Sequence, residues 1–169
     1  MNIQNTEPWY VLRVRPLFER VVESRLGKMG ITALVPVQKQ FRRSSDRTPK
    51  KEKILFSGYV FVHTEPARRN EVFQAGSQVI SYLTIEGKPA LLREQEISLI
   101  KTLSGLDGPI SFISLQLSPG NQVEIISGPL RGFCGVVVNL PGKQRVTVYI
   151  TGLQCIAQVE LSVNNVRRL

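Results

Sequence analysis

The sequence predicts two small domains in tandem: an α+β domain with helices on a mainly antiparallel sheet, then a small all-β barrel. Three observations lead there. The longer N-terminal part alternates short β-branched runs with two stretches of helical apolar spacing. The C-terminal part holds only short strands between Gly/Pro turns. Between them the pattern loosens, punctuated by Gly105, Gly108, Pro109 and Pro119. The expected division is residues 1–106 for the first domain, 107–118 for a linker and 119–169 for the barrel.

Trp9-Tyr10-Val11-Leu12-Arg13-Val14 is aromatic and β-branched and reads as a strand. Pro16 suits the first turn of a helix, where its missing N–H costs nothing. Phe18, Val21, Val22, Leu26 and Met29 then recur at helical spacing up to Gly30, opposite a polar face of Glu19, Arg20, Glu23, Ser24 and Lys28. Residues 31–37 form a second strand that Pro36 breaks or places at an edge. Residues 54–62 read as a third strand, and Pro66 opens a short helix through Phe73. Residues 79–85 are a fourth strand, closed by the turn Glu86-Gly87-Lys88-Pro89. Ile97, Leu99, Ile100 and Leu103 mark a second clear helix over residues 92–103. In the linker, Ile110, Phe112, Ile113 and Leu115 are apolar enough to pack on something. Residues 123–126, 133–139, 145–151 and 157–161 are the strands of the expected barrel.

Composition narrows the function classes. Residues 1–7 are polar with no apolar core, and no apolar run is long enough to span a bilayer, so a soluble, cytoplasmic protein with no membrane contact is expected. Cys134 and Cys155 form no C-x-x-C pair and read as small buried hydrophobes. His63, the only histidine, ends the run Val60-Phe61-Val62 and reads as structural or solvent-exposed. With no Gly-rich phosphate loop, no paired carboxylates beside a base and no metal-ligand cluster, the chain is expected to be no enzyme and to need no cofactor or metal.

The net charge is +9, and residues 1–106 hold 17 Lys and Arg against 10 Asp and Glu. The segment Gln38–Lys53 carries Lys39, Arg42, Arg43, Arg47, Lys50, Lys51 and Lys53, opposed only by Asp46 and Glu52. A polyanion such as nucleic acid suits this surface; a solvated loop that keeps the protein soluble is the plainer alternative.

The run Gly120-Asn121-Gln122-Val123-Glu124-Ile125-Ile126-Ser127-Gly128-Pro129-Leu130-Arg131-Gly132-Phe133-Cys134-Gly135-Val136-Val137 joins two strands through a glycine-punctuated loop. Val123 and Ile125 share a strand face, Gly128-Pro129 is a turn, and Gly132 and Gly135 permit positive φ or close backbone approach. This resembles the KOW motif of SH3-like barrels, found in NusG-type factors and in several ribosomal proteins; its markers here are Gly120, Val123, Ile125, Gly128, Pro129, Gly132 and Gly135. Such barrels bind both RNA and proteins. Upstream, Trp9-Tyr10-Val11-Leu12 and Leu55-Phe56-Ser57-Gly58-Tyr59-Val60-Phe61-Val62 resemble the opening strand and the F-P-G-Y-V-F-V strand of the NusG N-terminal domain, with Ser57 in place of the usual proline. Both resemblances occur in the family's order. The alternative, a ribosome-associated RNA-binding protein acting through its KOW barrel, does not account for the N-terminal half.

The resemblance implies an elongation or antitermination factor whose N-terminal domain receives the clamp helices of the largest RNA polymerase subunit in a hydrophobic depression. The matching positions are Phe56, Tyr59 and Phe61, with Tyr82 nearby. Tyr59 and Phe61, two apart, share a sheet face; core packing is the other reading of these aromatics. The resemblance further implies contacts to non-template or upstream DNA through Arg15, Arg25 and Lys28; Arg20 lies on the same general surface, and the charge of the basic segment adds Arg42, Arg43, Lys50 and Lys51 as nucleic-acid candidates. The alternative is a solvated helix face balanced by Glu19 and Glu23. A ribosomal protein or termination factor would be the barrel's partner. Specialised relatives of the RfaH type place an aromatic where this chain has Arg13, and their His-Thr-Thr element is missing near Asn70-Glu71-Val72. The dense basic segment favours an operon-restricted antiterminator.

Overall fold

The computed structural model describes residues 7–40, 51–106, 110–114, 122–140, 143–150, 153, 155–160 and 165–169. In chain order the elements begin with β1 (Trp9–Val14), α1 (Glu19–Lys28), β2 (Thr32–Leu34), β3 (Val37–Gln40), β4 (Lys51–Ile54) and β5 (Tyr59–His63). A 3-10 helix (Pro66–Ala75) follows, then β6 (Val79–Tyr82), β7 (Thr84–Ile85), β8 (Lys88–Pro89), β9 (Leu91–Leu92) and α2 (Glu94–Ser104). The remaining strands are β10 (Ser111–Ser114), β11 (Gln122–Ile125), β12 (Cys134–Leu140), β13 (Lys143–Ile150), β14 (Cys155–Glu160) and β15 (Val166–Arg168). They divide into two units, Met1–Val37 with Ile54–Ile97, and Gln38–Lys53 with Ser98–Leu169.

The first unit is built on an antiparallel sheet in the order β2-β5-β1-β6, with β9 also pairing with β1. Tyr10, Leu12 and Val14 of β1 and Val60 and Val62 of β5 share a core with Val22 and Leu26 of α1 and with Val72 and Val79. Val22, Leu26, Val60, Val62 and Val72 are fully buried, and each such side chain contributes about 1.5–3 kcal/mol. The buried line of α1 runs Glu19, Val22, Leu26, at spacings of three and four, so the helix is rotated from the expected stripe. Glu19, placed by the pattern on the polar face, is 1% exposed, whereas Phe18 and Val21, expected in the stripe, are each 40% exposed.

Three expected strands are each interrupted. Residues 31–37 become β2 and the start of β3, separated at Val35-Pro36. Residues 54–62 contain the end of β4, a turn and β5; the break is local, since Gly58 takes φ +81 and Tyr59 N–H donates to Phe56 O at 3.2 Å. Residues 79–85 end β6 at Tyr82 and start a hairpin, β7 with β8, around Glu86 and Gly87. The segment after Pro66 is a 3-10 helix.

In the second unit, β3 and β4, at the two ends of the basic segment, pair in a two-stranded sheet. Ile97, Leu99, Ile100 and Leu103 of α2 are buried. Strands β10 to β15 form an antiparallel sheet in the order β10-β14-β13-β12-β11-β15. β10, inside residues 107–118, aligns Ser111 with Gln158 and Ser114 with Cys155. β15 has no counterpart in the sequence pattern, because its short Val-Arg-Arg run lacks apolar alternation; its backbone closes on β11, where Arg167 also meets Glu124 at 2.6 Å. Cys134, expected to be buried, is exposed. Among the described residues no helix is long and apolar enough to cross a membrane.

Candidate polymerase and nucleic-acid surfaces

Antiparallel partners point to the same side of a sheet. Trp9, Val11 and Arg13 of β1 align with His63, Phe61 and Tyr59 of β5, and this set lies on the side away from α1. Leu34 aligns with Phe61 and Ser81 with Arg13, which adds β2 and β6 to that side. Trp9, Val11 and Phe61 are buried there, while Arg13 is exposed and Tyr59 is half-buried. Phe56 is buried against Phe61, edge to face, with ring centroids 5.5 Å apart. Trp9 stacks on His63 at 4.9 Å and donates from Nε1 to Glu94 Oε2 at 2.9 Å. His63 Nε2 lies 2.6 Å from Glu7 O.

Tyr82 is on the other side. It aligns with Leu12, whose side chain faces α1, and packs on Tyr10 at 5.5 Å and on Phe73 at 5.8 Å. Its hydroxyl donates to Arg69 O, which fastens the 3-10 helix to the sheet. Burial, reinforced by the Tyr10 hydroxyl and opposed by Arg69, pushes the Tyr82 phenol up to about 12. The structure therefore brings Phe56, Tyr59 and Phe61 together and separates Tyr82 from them by the thickness of the sheet.

The turn that carries Phe56 and Tyr59 is held from four directions. Leu55 N–H donates to Pro36 O at 2.9 Å and Tyr59 N–H to Phe56 O. Val14 N–H donates to Gly58 O at 2.8 Å, and Gly58 N–H donates to Glu19 Oε1 at 2.7 Å. Ser57 donates its hydroxyl to the same carboxylate oxygen over a long 3.4 Å. Glu19 Oε2 is buried without a hydrogen-bond partner. The sequence shows an acid in the first turn of a helix, a common dipole-favoured position. It cannot show that this acid reaches an amide 39 residues away.

The cations of α1 have different neighbours. Arg25 donates from Nη1 to Ala75 O at 3.0 Å and to Gln78 Oε1 at 2.9 Å, bracketing Gly76, which takes φ +126. Arg20 pairs with Glu23 Oε2 at 2.8 Å, and Glu23 Oε1 accepts from Val35 N–H at 2.8 Å. Arg15 and Lys28 are exposed and carry no ion pair among the described residues. Glu19 turns inward and Glu23 pairs with Arg20, so Arg15 and Lys28 are the cations of this face that no acid of α1 balances among the described residues. Of the basic segment, Lys51 starts β4, while Arg42, Arg43 and Lys50 lie outside the described residues.

In the C-terminal sheet, Val123 and Ile125 are buried together on β11. Gly128 and Gly132 both take positive φ, and the loop closes through Ile125 N–H to Phe133 O at 2.9 Å and Gly132 N–H to Ile125 O at 2.8 Å. Gly135 lies between Val123 and Val148 in the ladder, and Pro129 is exposed. Gly120 lies outside the described residues.

Comparison with known proteins agrees with this arrangement. The family model described as "Transcription termination factor nusG" matches residues 7–101. The chain is 26% identical to the transcription termination/antitermination protein NusG of Thermus thermophilus, over 83% of this chain and 86% of that protein. It is also 26% identical to the protein of the same name from Pseudomonas aeruginosa, over 95% and 98% of the two chains. A solved structure concerned with domain interaction in Thermotoga maritima NusG superposes with a TM-score of 0.58 at 24% identity, covering 96% of this chain and 97% of that one. The matched family span runs from β1 into α2 and contains every residue of the Phe56, Tyr59 and Phe61 surface: this chain belongs to the NusG family of transcription termination/antitermination factors, which are not enzymes.

Proposed function

We propose that this chain binds RNA polymerase in the cytoplasm and suppresses pausing or termination, by docking the Tyr59 side of its N-terminal sheet on the clamp helices of the largest subunit. The observation that carries this is the half-buried Tyr59 over a buried Phe56–Phe61 pair, on a turn fixed by Gly58 and Glu19. An amphipathic aromatic at the edge of a packed apolar surface is the side-chain type that anchors protein interfaces. Arg13 beside it suits a partner that presents a carboxylate next to its apolar contact. Binding that favours the closed, elongation-competent clamp shifts its population by the difference in affinity between the two states, which is all that antipausing requires.

The cationic face of α1 and the basic segment Gln38–Lys53 would hold non-template or upstream DNA. In this reading residues 1–106 are the polymerase-binding domain, 107–118 the linker, and 119–169 an SH3-like KOW barrel that recruits a ribosomal protein or a termination factor. The density of basic residues in Gln38–Lys53 supports action at particular operons, capsule and exopolysaccharide clusters among the plausible targets. Single-round transcription with purified polymerase tests the proposal: the wild-type chain shortens pauses and Tyr59→Ala does not. Unchanged pause lifetimes with saturating wild-type protein would refute it.

A further inference from the structure

The chain enters the expected linker, residues 107–118, from one anchor and soon meets another. Gln38, buried at the start of the basic segment, donates from Nε2 to Leu106 O at 2.8 Å. Leu106 N–H donates in turn to Leu103 O at 3.1 Å, so this anchor also fixes the turn that ends α2. Beyond it Ile110 is buried, and β10 lies along β14 with Ser111 opposite Gln158 and Ser114 opposite Cys155. Both anchors belong to the second unit. They differ in how easily they open. β10 spans only Ser111–Ser114 and stands at the end of the sheet order, so among the described residues its outer side pairs with no strand. A short edge strand is among the first parts of a sheet to open, well before the whole sheet unfolds.

We infer that β10 is a releasable clasp that sets the length of the tether between the N-terminal domain and the barrel. Paired with β14, it leaves the chain from Leu106 to Ser111 as the tether, with a reach of roughly 17 Å at full extension. Released, the tether runs from Leu106 to Gln122, where β11 starts, and reaches roughly 55 Å. That lengthening lowers the effective concentration of each domain at the other by roughly fivefold, on the −3/2 power of length, and extends the barrel's range. A partner that the barrel reaches only with β10 free favours the released state by its difference in affinity for the two. The inference rests on the two-domain division proposed above and not on what docks at Tyr59.

Amide hydrogen exchange and single-molecule energy transfer on the full chain test this together. In the wild type, the amides of β10 should show protection at least about tenfold smaller than those of β13. For energy transfer, dyes are placed on the exposed Cys134 and on Lys88→Cys, with Cys155→Ser to leave one native thiol. This chain should show a minor low-transfer population. Ile113→Pro, which takes a ladder N–H from β10, should make that population the major one while β11, β12 and β13 keep their protection. Protection of β10 equal to that of β13, or melting of the barrel in Ile113→Pro, would make β10 an integral barrel strand and overturn the clasp alone. Fast exchange of β10 with unchanged transfer in Ile113→Pro would show that the domains do not part when it is free, and would overturn the two-domain division and the clasp with it.

Discussion

Two turns with left-handed backbone lie against each other in the N-terminal unit, and they differ in the residue placed there. At residues 55–58 the positive φ belongs to Gly58, whose N–H and C=O are both engaged, by Glu19 and Val14. At residues 15–18 it belongs to Leu17, whose side chain stands in solvent. A Cβ on Gly58 would come within 3.9 Å of Pro16 Cγ, so the turns are neighbours as well as analogues. The first turn obeys the local rules and uses them to present Tyr59. The second breaks them at Leu17: its backbone is tied by Arg15 N–H to Gln78 O at 2.9 Å and Phe18 N–H to Arg15 O at 3.1 Å, while the Leu17 side chain itself stands exposed.

The comparison can be broken at the first turn with the largest effect. Glu19→Ala leaves the half-buried Gly58 amide without its carboxylate partner and should cost about 1–3 kcal/mol in denaturant unfolding. Glu19→Gln keeps an acceptor and removes the buried charge, so it should cost less than half as much; equal losses would mean that the hydrogen bond to Gly58 contributes nothing. Gly58→Ala should destabilise by about 1–2 kcal/mol and weaken polymerase binding together, since the strained φ and the presentation of Tyr59 share one residue.

Tyr82→Phe removes the hydroxyl bond to Arg69 O and should cost about 0.5–1.5 kcal/mol at neutral pH. It carries a pH signature too. The unfolded phenol ionises near 10.0 and the folded one near 12, so the wild-type chain keeps this contribution below pH 10 and loses it as pH rises toward 12. In Tyr82→Phe that alkaline loss should be smaller. At the second turn Leu17→Gly should have the smallest effect, within about 1 kcal/mol of wild type and in the stabilising direction, as relief of φ strain offsets the added freedom of the unfolded chain.

What the sequence made legible follows the range of the interactions. The central strand, both α-helices and the glycine loop of the C-terminal sheet are local patterns, and they fall close to their expected places. Glu19 and Tyr82 are not local. The rotation of α1 that buries Glu19 depends on a backbone amide in a later turn, and nothing in its neighbours signals that. The family resemblance puts Tyr82 near Tyr59, but the pairing of β6 with β1 aligns Tyr82 with Leu12, on the opposite side of the sheet. Arg25 reads as one more cation of a basic helix, yet it is tied to Ala75 and Gln78, half a unit away in sequence. Leu17, preceded by proline, reads as an ordinary apolar residue at a helix entry, because a φ value has no sequence signature unless glycine supplies it.

The central claim is that the Tyr59 side of the sheet meets polymerase and the Tyr82 side does not. The affinity of the purified chain for core RNA polymerase, compared among wild type, Tyr59→Ala and Tyr82→Phe, tests it most directly. The account predicts at least about a tenfold loss for Tyr59→Ala, as for a residue near the centre of an interface, and wild-type affinity for Tyr82→Phe. Wild-type affinity for Tyr59→Ala, or an equal loss for both variants, would contradict it.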